Sequence, residues 1–255
     1  MEQKFKNKVV AITGGLGDIG KGIAKAFAEQ GAKIAICDLH PIEKSYDFIN
    51  SLKQQHAIDV DYHQLDVCSS KKVNEWIFNI ENRLGTPEIL IANAAAITPS
   101  SILDMQPEDW ENNINVNLNG VFYVSQTVAK AMVNKQQSGY IIIMGSWAAH
   151  KVHPNLPSYS VAKAGLRMFC KCLGLELAPH KILVNELALG YVEAGLSEKM
   201  WKENPSKRIE AKNKVPVNEL INVGAISEQI LFLCDSRNKH ITGTTILMDG
   251  GLSLL

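Results

Sequence analysis

The sequence predicts an α/β fold, a single domain built on a doubly wound parallel sheet of about seven strands. Three observations carry this. Apolar runs of strand length, rich in Ile and Val, alternate along the chain with amphipathic stretches of helix length. Such alternation calls for right-handed strand–helix–strand crossovers and a sheet covered on both faces. The first strand runs into a glycine cluster, "TGGLGDIG" (Thr13 to Gly20), and then into a helix-like stretch. The 255 residues, 46% hydrophobic, suit one domain with a sizeable core.

The strands are read in order at Val9–Thr13, Lys33–Asp38, Val60–Asp66, Glu88–Asn93, Tyr140–Gly145, Leu183–Leu187 and Thr244–Met248. Each is a short apolar run bounded by turn residues, the signature of a buried parallel strand. The helices between them are read at Ile19–Gln30, Ile42–Gln55, Lys71–Leu84, Pro107–Asn134, Ser158–Ala178 and Ala225–Cys234. No linker, repeat or low-complexity tract interrupts the series, so residues 1–255 read as one Rossmann-like domain. The longest segment without a clear strand, 189–223, holds Trp201, Pro205 and mixed charges. An insertion at a strand's C-terminal end is expected to cover a substrate, although a plain surface excursion fits the pattern as well.

Composition narrows the function. The 26 basic and 26 acidic side chains balance, and no basic run exceeds two residues. That argues against a nucleic-acid or membrane-surface partner. Five cysteines (Cys37, Cys68, Cys170, Cys172, Cys234), with no C-x-x-C pair, fit reduced thiols in the cytoplasm. Cys170 and Cys172, two apart on a helix, point to different sides and make a poor metal pair. The polar start "MEQKFKNK" does not read as a secretory signal, and no apolar run approaches the ~18 residues of a membrane span.

The glycine cluster fits two registers. Gly15, Gly17 and Gly20 spell G-x-G-x-x-G; Gly14 and Gly20 fit T-G-x-x-x-G-x-G, with Asp18 in place of the middle glycine. Either register lets backbone N–H groups approach a pyrophosphate at a helix N-terminus. Asp38, closing the second strand eighteen residues after Gly20, stands where a carboxylate accepts bonds from adenosine ribose hydroxyls. Asp66, in "QLDV", ends the third strand; taken alone it reads as a turn residue.

A second constellation lies in "SYSVAKAG" (Ser158 to Gly165). Tyr159 and Lys163, four apart, share a helix face. A phenol with pKa near ~10 is a poor acid or base at neutral pH, and a neighbouring ammonium draws it toward the working range. Ser146, just past the strand in "IIIMGSWAAH", occupies the end of the sheet where ligands bind. No G-x-S-x-G elbow surrounds it, so it is not read as a hydrolase nucleophile. Asn117, in "NINVNLNG", falls mid-helix, where Asn is a poor helix former and a kink is expected.

Together these segments, from Lys8 to Gly251, resemble the short-chain dehydrogenase/reductase family. Its T-G-x-x-x-G-x-G loop corresponds to Thr13–Gly20, its D-V to Asp66–Val67, its N-N-A-G to "ANAA" (Ala92–Ala95), and its closing D-G-G to "ITGTTILMDGG". The resemblance implies that Asn117, Ser146, Tyr159 and Lys163 are catalytic. Tyr159 would be the acid/base and Ser146 would bond the substrate oxygen. Lys163 would tune Tyr159 and hold the nicotinamide ribose, while Asn117 would anchor a proton-relaying water. Cofactor binding would fall to Gly14, Gly17, Asp18, Ile19, Gly20, Asp38, Asp66, Val67, Asn93 and Val192, with Tyr159 and Lys163. The family departures are Asp18, Ala92, Ala95, Leu189 and Ala194. Asp18 is tolerable because Asp visits left-handed backbone more readily than most residues; Ala194 removes a hydroxyl the family often offers to the nicotinamide carboxamide.

The implied reaction is reversible hydride transfer between a nicotinamide cofactor and a secondary alcohol or its ketone. Asp38, reinforced by Asp18 and with only Leu39 and His40 beside it, points to NAD rather than NADP. The small-molecule substrate is read as a sugar or polyol, with His153 (and His150) at the mouth of the site. Two histidines without a third ligand do not make a metal site. The alternatives are a 3-hydroxyacyl thioester dehydrogenase/3-oxoacyl reductase, whose carrier protein would want a basic patch that the sequence does not clearly show, and a catalytically silent NAD-binding sensor. The family's habit of assembling through its two long central helices, here with surplus apolar residues such as Val161 and Phe169, implies a homotetramer.

Overall fold

The computed structural model describes residues 3–195 and 201–255. Seven parallel strands form one sheet: β1 (Val9–Thr13), β2 (Lys33–Asp38), β3 (Val60–Gln64), β4 (Ile89–Ala92), β5 (Gly139–Ser146), β6 (Ile182–Leu189) and β7 (Thr245–Met248). Their spatial order is β3-β2-β1-β4-β5-β6-β7, so the chain reverses direction across the sheet between β1 and β4. The helices are α1 (Asp18–Glu29), α2 (Tyr46–His56), α3 (Ser70–Arg83), α4 (Pro107–Ile114), α5 (Val121–Asn134), α6 (Pro157–Leu177), α7 (Pro205–Lys214) and α8 (Val223–Leu233).

The sheet divides the interior in two, as the continuous apolar strands require. On one face Ile12, Ile34, Ile142 and Leu187 meet Ile23 and Phe27 of α1 and Ile226 and Ile230 of α8. On the other, Ala11, Leu90, Ile143 and Val184 meet Trp76 of α3, Val124 and Val128 of α5, and Leu166 and Cys170 of α6. Alternate residues of each strand serve opposite faces, so one inward carboxylate or one missing side chain alters a specific layer.

Several boundaries differ from the sequence reading. β3 stops at Gln64 rather than Asp66, because Leu65 turns its N–H to the Asp38 carbonyl and the chain then leaves the sheet. β4 is shorter at both ends, and a 3₁₀ turn, Ile42–Ser45, precedes α2. The segment Pro107–Asn134 is not one regular helix: α4 and α5 are joined by a π turn over Asn115–Gly120. In the 189–223 segment, β6 persists to Leu189, Val192 bridges Ile221, and α7 forms; residues 196–200 lie outside the described residues. Among the described residues, no helix is long and apolar enough to cross a membrane.

Candidate active site

A cavity of about 600 Å³ opens at the C-terminal ends of the strands, over the reversal between β1 and β4. In open α/β sheets this switch point is where ligands sit. The glycine loop forms its floor. Gly14 has φ +63°, and a Cβ there would stand 2.9 Å from the Ala94 Cα. A Cβ on Gly20 would meet the Gly14 carbonyl oxygen at 2.4 Å. Both positions therefore require glycine. Gly17 caps α1 without a side-chain hydrogen bond and lines the cavity with Asp18, Ile19 and Gly20.

Asp18 differs from the expectation. It is the first residue of α1 with negative φ, so no left-handed tolerance is needed; Gly14 alone in the loop has positive φ. Its Oδ2 accepts a 2.8 Å bond from the Gly195 N–H, tying the glycine loop to the segment after β6. A carboxylate in a helix's first turn also complements the macrodipole.

Three more stations line the same cavity. Asp38 closes β2 and braces the loop, its Oδ2 accepting from Leu16 N–H at 3.0 Å while Oδ1 pairs with His40 Nδ1 at 2.7 Å. Asp66 and Val67 follow β3, and Asp66 Oδ1 accepts from Cys68 N–H at 2.9 Å, a turn bond made at the cavity wall. Asn93, after β4, donates to the Thr13 and Gly14 carbonyls at 3.0 Å, and Thr13 Oγ1 accepts from the Asn93 and Ala94 N–H groups. Thr13, left out of the sequence-read site, is thus the clasp between β1 and β4; its signal was the leading Thr of the glycine motif.

The remaining side chains come from β5 and α6. Ser146 ends β5, its Oγ accepting from the Ala148 N–H at 3.2 Å. Pro157 at the start of α6 preorganises the first turn that presents Tyr159. Lys163, one turn on, is 2% exposed, lies 5.4 Å from the Tyr159 ring centre and donates to the Met144 carbonyl at 2.8 Å. Burial draws the Lys163 ammonium down to about 8, opposed by the negative charge of Glu186. Here too the structure corrects an expectation. The Tyr159 phenol lies above its ordinary value: burial raises it and its hydrogen bond with Ser146 offsets part of the rise. Desolvation of the phenolate therefore outweighs the expected pull from Lys163, whose Nζ is turned to a carbonyl.

Of the sequence-read site residues, Asn117 and His153 alone do not line the cavity. Asn117 is fully buried in the π turn, its amide bonded to Ala96 N–H and O and to the Asn113 carbonyl. The expected kink is that turn. His153 packs instead with Trp147 and Tyr191, Trp147 lying 5.2 Å from the His153 ring and 5.5 Å from that of Tyr191. Its Nδ1 bonds the Pro154 carbonyl at 2.8 Å. Val192 and Ala194 do line the cavity, from the stretch after β6. Basic charge gathers beside that stretch: α7 carries Lys207, Arg208, Lys212 and Lys214, and Arg208 pairs with Glu193. Among the described residues no group of three His, Cys, Asp or Glu could hold a metal ion.

The donor set fits a nicotinamide dinucleotide. The Cβ-free loop and the uncapped N-terminus of α1 suit a pyrophosphate, Asp38 and Asp66 an adenosine, and Tyr159 with Lys163 a ribose beside the reacting carbon.

Comparison with known proteins agrees with this geometry. The family model described as Enoyl-(Acyl carrier protein) reductase matches residues 15–253. A 2,3-dihydro-2,3-dihydroxybenzoate dehydrogenase of Bacillus subtilis (strain 168) is 34% identical, covering 98% of this chain and 97% of that protein. The 3-oxoacyl-[acyl-carrier-protein] reductase FabG of Buchnera aphidicola subsp. Baizongia pistaciae is 32% identical, with 98% of each covered. A solved short-chain type dehydrogenase/reductase from Mycobacterium marinum superposes with a TM-score of 0.90 at 26% identity, over 98% of this chain and 97% of that one.

Proposed function

Because the chain belongs to the short-chain dehydrogenase/reductase family, we propose that this oxidoreductase interconverts a secondary alcohol and its ketone with NAD. The observation that carries the reading is the grouping of Tyr159, Ser146 and Lys163 at one end of a cavity whose other end is walled by Asp38 and Asp66. The nicotinamide, when bound, accepts or supplies the hydride. Ser146 Oγ bonds the substrate oxygen and orients it toward Tyr159. Tyr159 Oη takes the alcohol proton in oxidation and returns one in reduction. Lys163 holds positive charge beneath the phenol and stabilises the phenolate as it forms. NAD is supported by the Asp38 carboxylate, which disfavours a 2′-phosphate, and by the absence of Lys or Arg at Leu39 and His40.

The substrate proposed is a sugar or polyol. Its support is the aromatic group Trp147, His153 and Tyr191, outside the cavity lining but on the chain segments that follow the lining residues Ser146 and Gly190, since ring faces suit the apolar edge of a cyclic polyol. The Bacillus subtilis relative is named for a ring-borne diol. A second reading, reduction of a 3-oxoacyl thioester, is favoured by the basic helix α7, which Arg208 ties to Glu193 between the lining residues Val192 and Ala194, and by the activity in the Buchnera relative's name. Purified protein assayed for NADH formation with polyols and with 3-hydroxyacyl thioesters decides between them. Turnover confined to thioesters would replace the first reading by the second. Binding of NADH without turnover on either would make the protein a sensor.

The assembly proposed is a homotetramer in the cytoplasm. Val161, Met168 and Leu175 of α6 and Phe122 of α5 are exposed apolar residues on the two helices expected to pair. All five cysteines are free thiols. A monomer by light scattering at micromolar concentration would overturn the assembly.

A further inference from the structure

Asp18 stands at the first position of α1, where the family has glycine, and its carboxylate makes no bond to its own helix. Among the described residues its side chain has one hydrogen-bond partner: Oδ2 accepts from the Gly195 N–H at 2.8 Å. That partner comes from across the sheet. Gly195 follows β6, which β5 and β4 separate from β1. At about 4.8 Å per strand the ends of β6 and β1 stand roughly 14 Å apart, and the stretch 190–195, fully extended, reaches about 20 Å. To meet α1 it must therefore travel back past the ends of β5 and β4, where Ser146 and Asn93 line the cavity.

As far as Glu193 this stretch is held by other partners. The Gly190 N–H donates to the Met248 carbonyl at 2.8 Å, the Tyr191 carbonyl accepts from the Ile221 N–H at 2.9 Å, and the Glu193 N–H donates to the Ile221 carbonyl at 2.8 Å. Glu193 also pairs with Arg208. Val192 and Ala194, both buried, line the cavity, and Gly195 then meets Asp18. Gly195 has φ +61°, and a Cβ there would meet nothing within 4 Å, so glycine serves the backbone turn and not a close contact. A carboxylate at a helix N-terminus competes with an incoming anion for the same dipole. Asp18 thus burdens a pyrophosphate site in a way that glycine does not, and what it adds to the cavity is the bond to Gly195.

We propose that Asp18 is a positioning residue that retains the cofactor: its carboxylate clasps the stretch 190–195 to the glycine loop, closing the cavity across a bound dinucleotide and slowing its release. The inference rests on the reading of the cavity as a nicotinamide dinucleotide site. Breaking the clasp leaves the contacts of the stretch with Met248, Ile221 and Arg208 in place and frees only its end at α1. The effect is therefore on the residence of the dinucleotide, not on the fold of the wall that carries Val192.

Asp18→Ala and Asp18→Asn both remove the charge beside the helix N-terminus, but only Asn keeps a side-chain oxygen for the Gly195 N–H. Comparing the two separates the clasp from repulsion of the pyrophosphate. In stopped-flow displacement of NADH, followed by its fluorescence, Asp18→Ala should release NADH about fivefold faster than Asp18→Asn, as befits one solvent-exposed hydrogen bond. Equal release rates in the two variants overturn the proposal. Exchange of the Gly195 amide, followed by NMR on protein without cofactor, needs no dinucleotide. It should run about fivefold faster in Asp18→Ala than in wild type, with Asp18→Asn close to wild type. If wild type binds no NADH, the dinucleotide reading fails, and exchange alone judges the clasp: an amide that exchanges equally in all three proteins overturns it. If Asp18→Ala does not fold, Asp18→Gly, which carries the family's own residue, replaces it in both measurements with the same expected and overturning results.

Discussion

Asp38→Asn tests the cofactor reading most directly. The obvious truncation to Ala is a poor choice, because Asp38 accepts from the Leu16 N–H at 3.0 Å and from His40, so losing it would loosen the glycine loop for both cofactors. Asn retains a carbonyl oxygen for Leu16 and removes only the charge. A hydrogen bond to a charged group contributes roughly 1.5–3 kcal/mol, and the carboxylate also repels a 2′-phosphate placed against it. At about 1.4 kcal/mol per tenfold, the ratio of kcat/KM for NAD to that for NADP should fall by roughly 10- to 10²-fold. The lost charge-assisted bond should appear as a fall with NAD and the relieved repulsion as a gain with NADP, while the loop keeps its brace. Initial rates with both cofactors at a fixed alcohol concentration give the ratio, and a melting curve checks that the fold is unchanged. A ratio unmoved in a stably folded Asp38→Asn protein would refute the assignment, leaving Asp38 a loop brace only.

Other outcomes follow from the same geometry. Tyr159→Phe should lower turnover by at least ~10²-fold while NADH binding, followed by its fluorescence, stays nearly intact; near-normal turnover would sink the acid/base role. Gly20→Ala places a methyl 2.4 Å from the Gly14 carbonyl and 2.7 Å from the Gly15 Cα. It should cost about 1–3 kcal/mol in urea unfolding and abolish NADH binding, and wild-type stability would mean the loop is slack. Burial lowers Lys163 from 10.5 to about 8, so it disfavours folding below pH 8, and this penalty is lost as pH rises to 10.5. Wild type should therefore gain about 3 kcal/mol on Lys163→Met across that window. A stability difference that stays flat between pH 7.5 and 10.5 contradicts the shift.

What the sequence disclosed, and what it hid, follows from the range of the interactions involved. β1 and β2 were legible to the residue because continuous Ile, Val and Ala runs end at glycine or aspartate. The glycine loop was legible for the same reason, as its requirement is local backbone geometry. Ser146, Tyr159 and Lys163 could be grouped because the end of one strand and one face of the next helix are near in both chain and space. Asp18 was misread because its partner, Gly195, is 177 residues away. Glu186 was passed over since a single acid in "ILVNELALG" looks like an interruption; only the assembled sheet sets its carboxylate against Gly145. The direction of the Tyr159 shift was missed because desolvation is a property of the assembled cavity, invisible to spacing.

The π turn between α4 and α5 acts like a vernier on the helix. A π turn carries one residue more than the α ladder, and that residue advances everything after it by about 100° around the axis. Asn117 fills the mismatch by donating from its side chain to the Asn113 carbonyl, a group four residues back that an α-helix would bond through backbone N–H. The angular phase of Val121, Val124, Val128 and Met132 on the sheet is thereby set by an amide that also grips Ala96, just past β4. A replacement at 117 that let the ladder close to regular α would rotate the whole apolar stripe of α5 out of its layer. The asparagine at the edge of the site is also the residue that indexes a helix to its core.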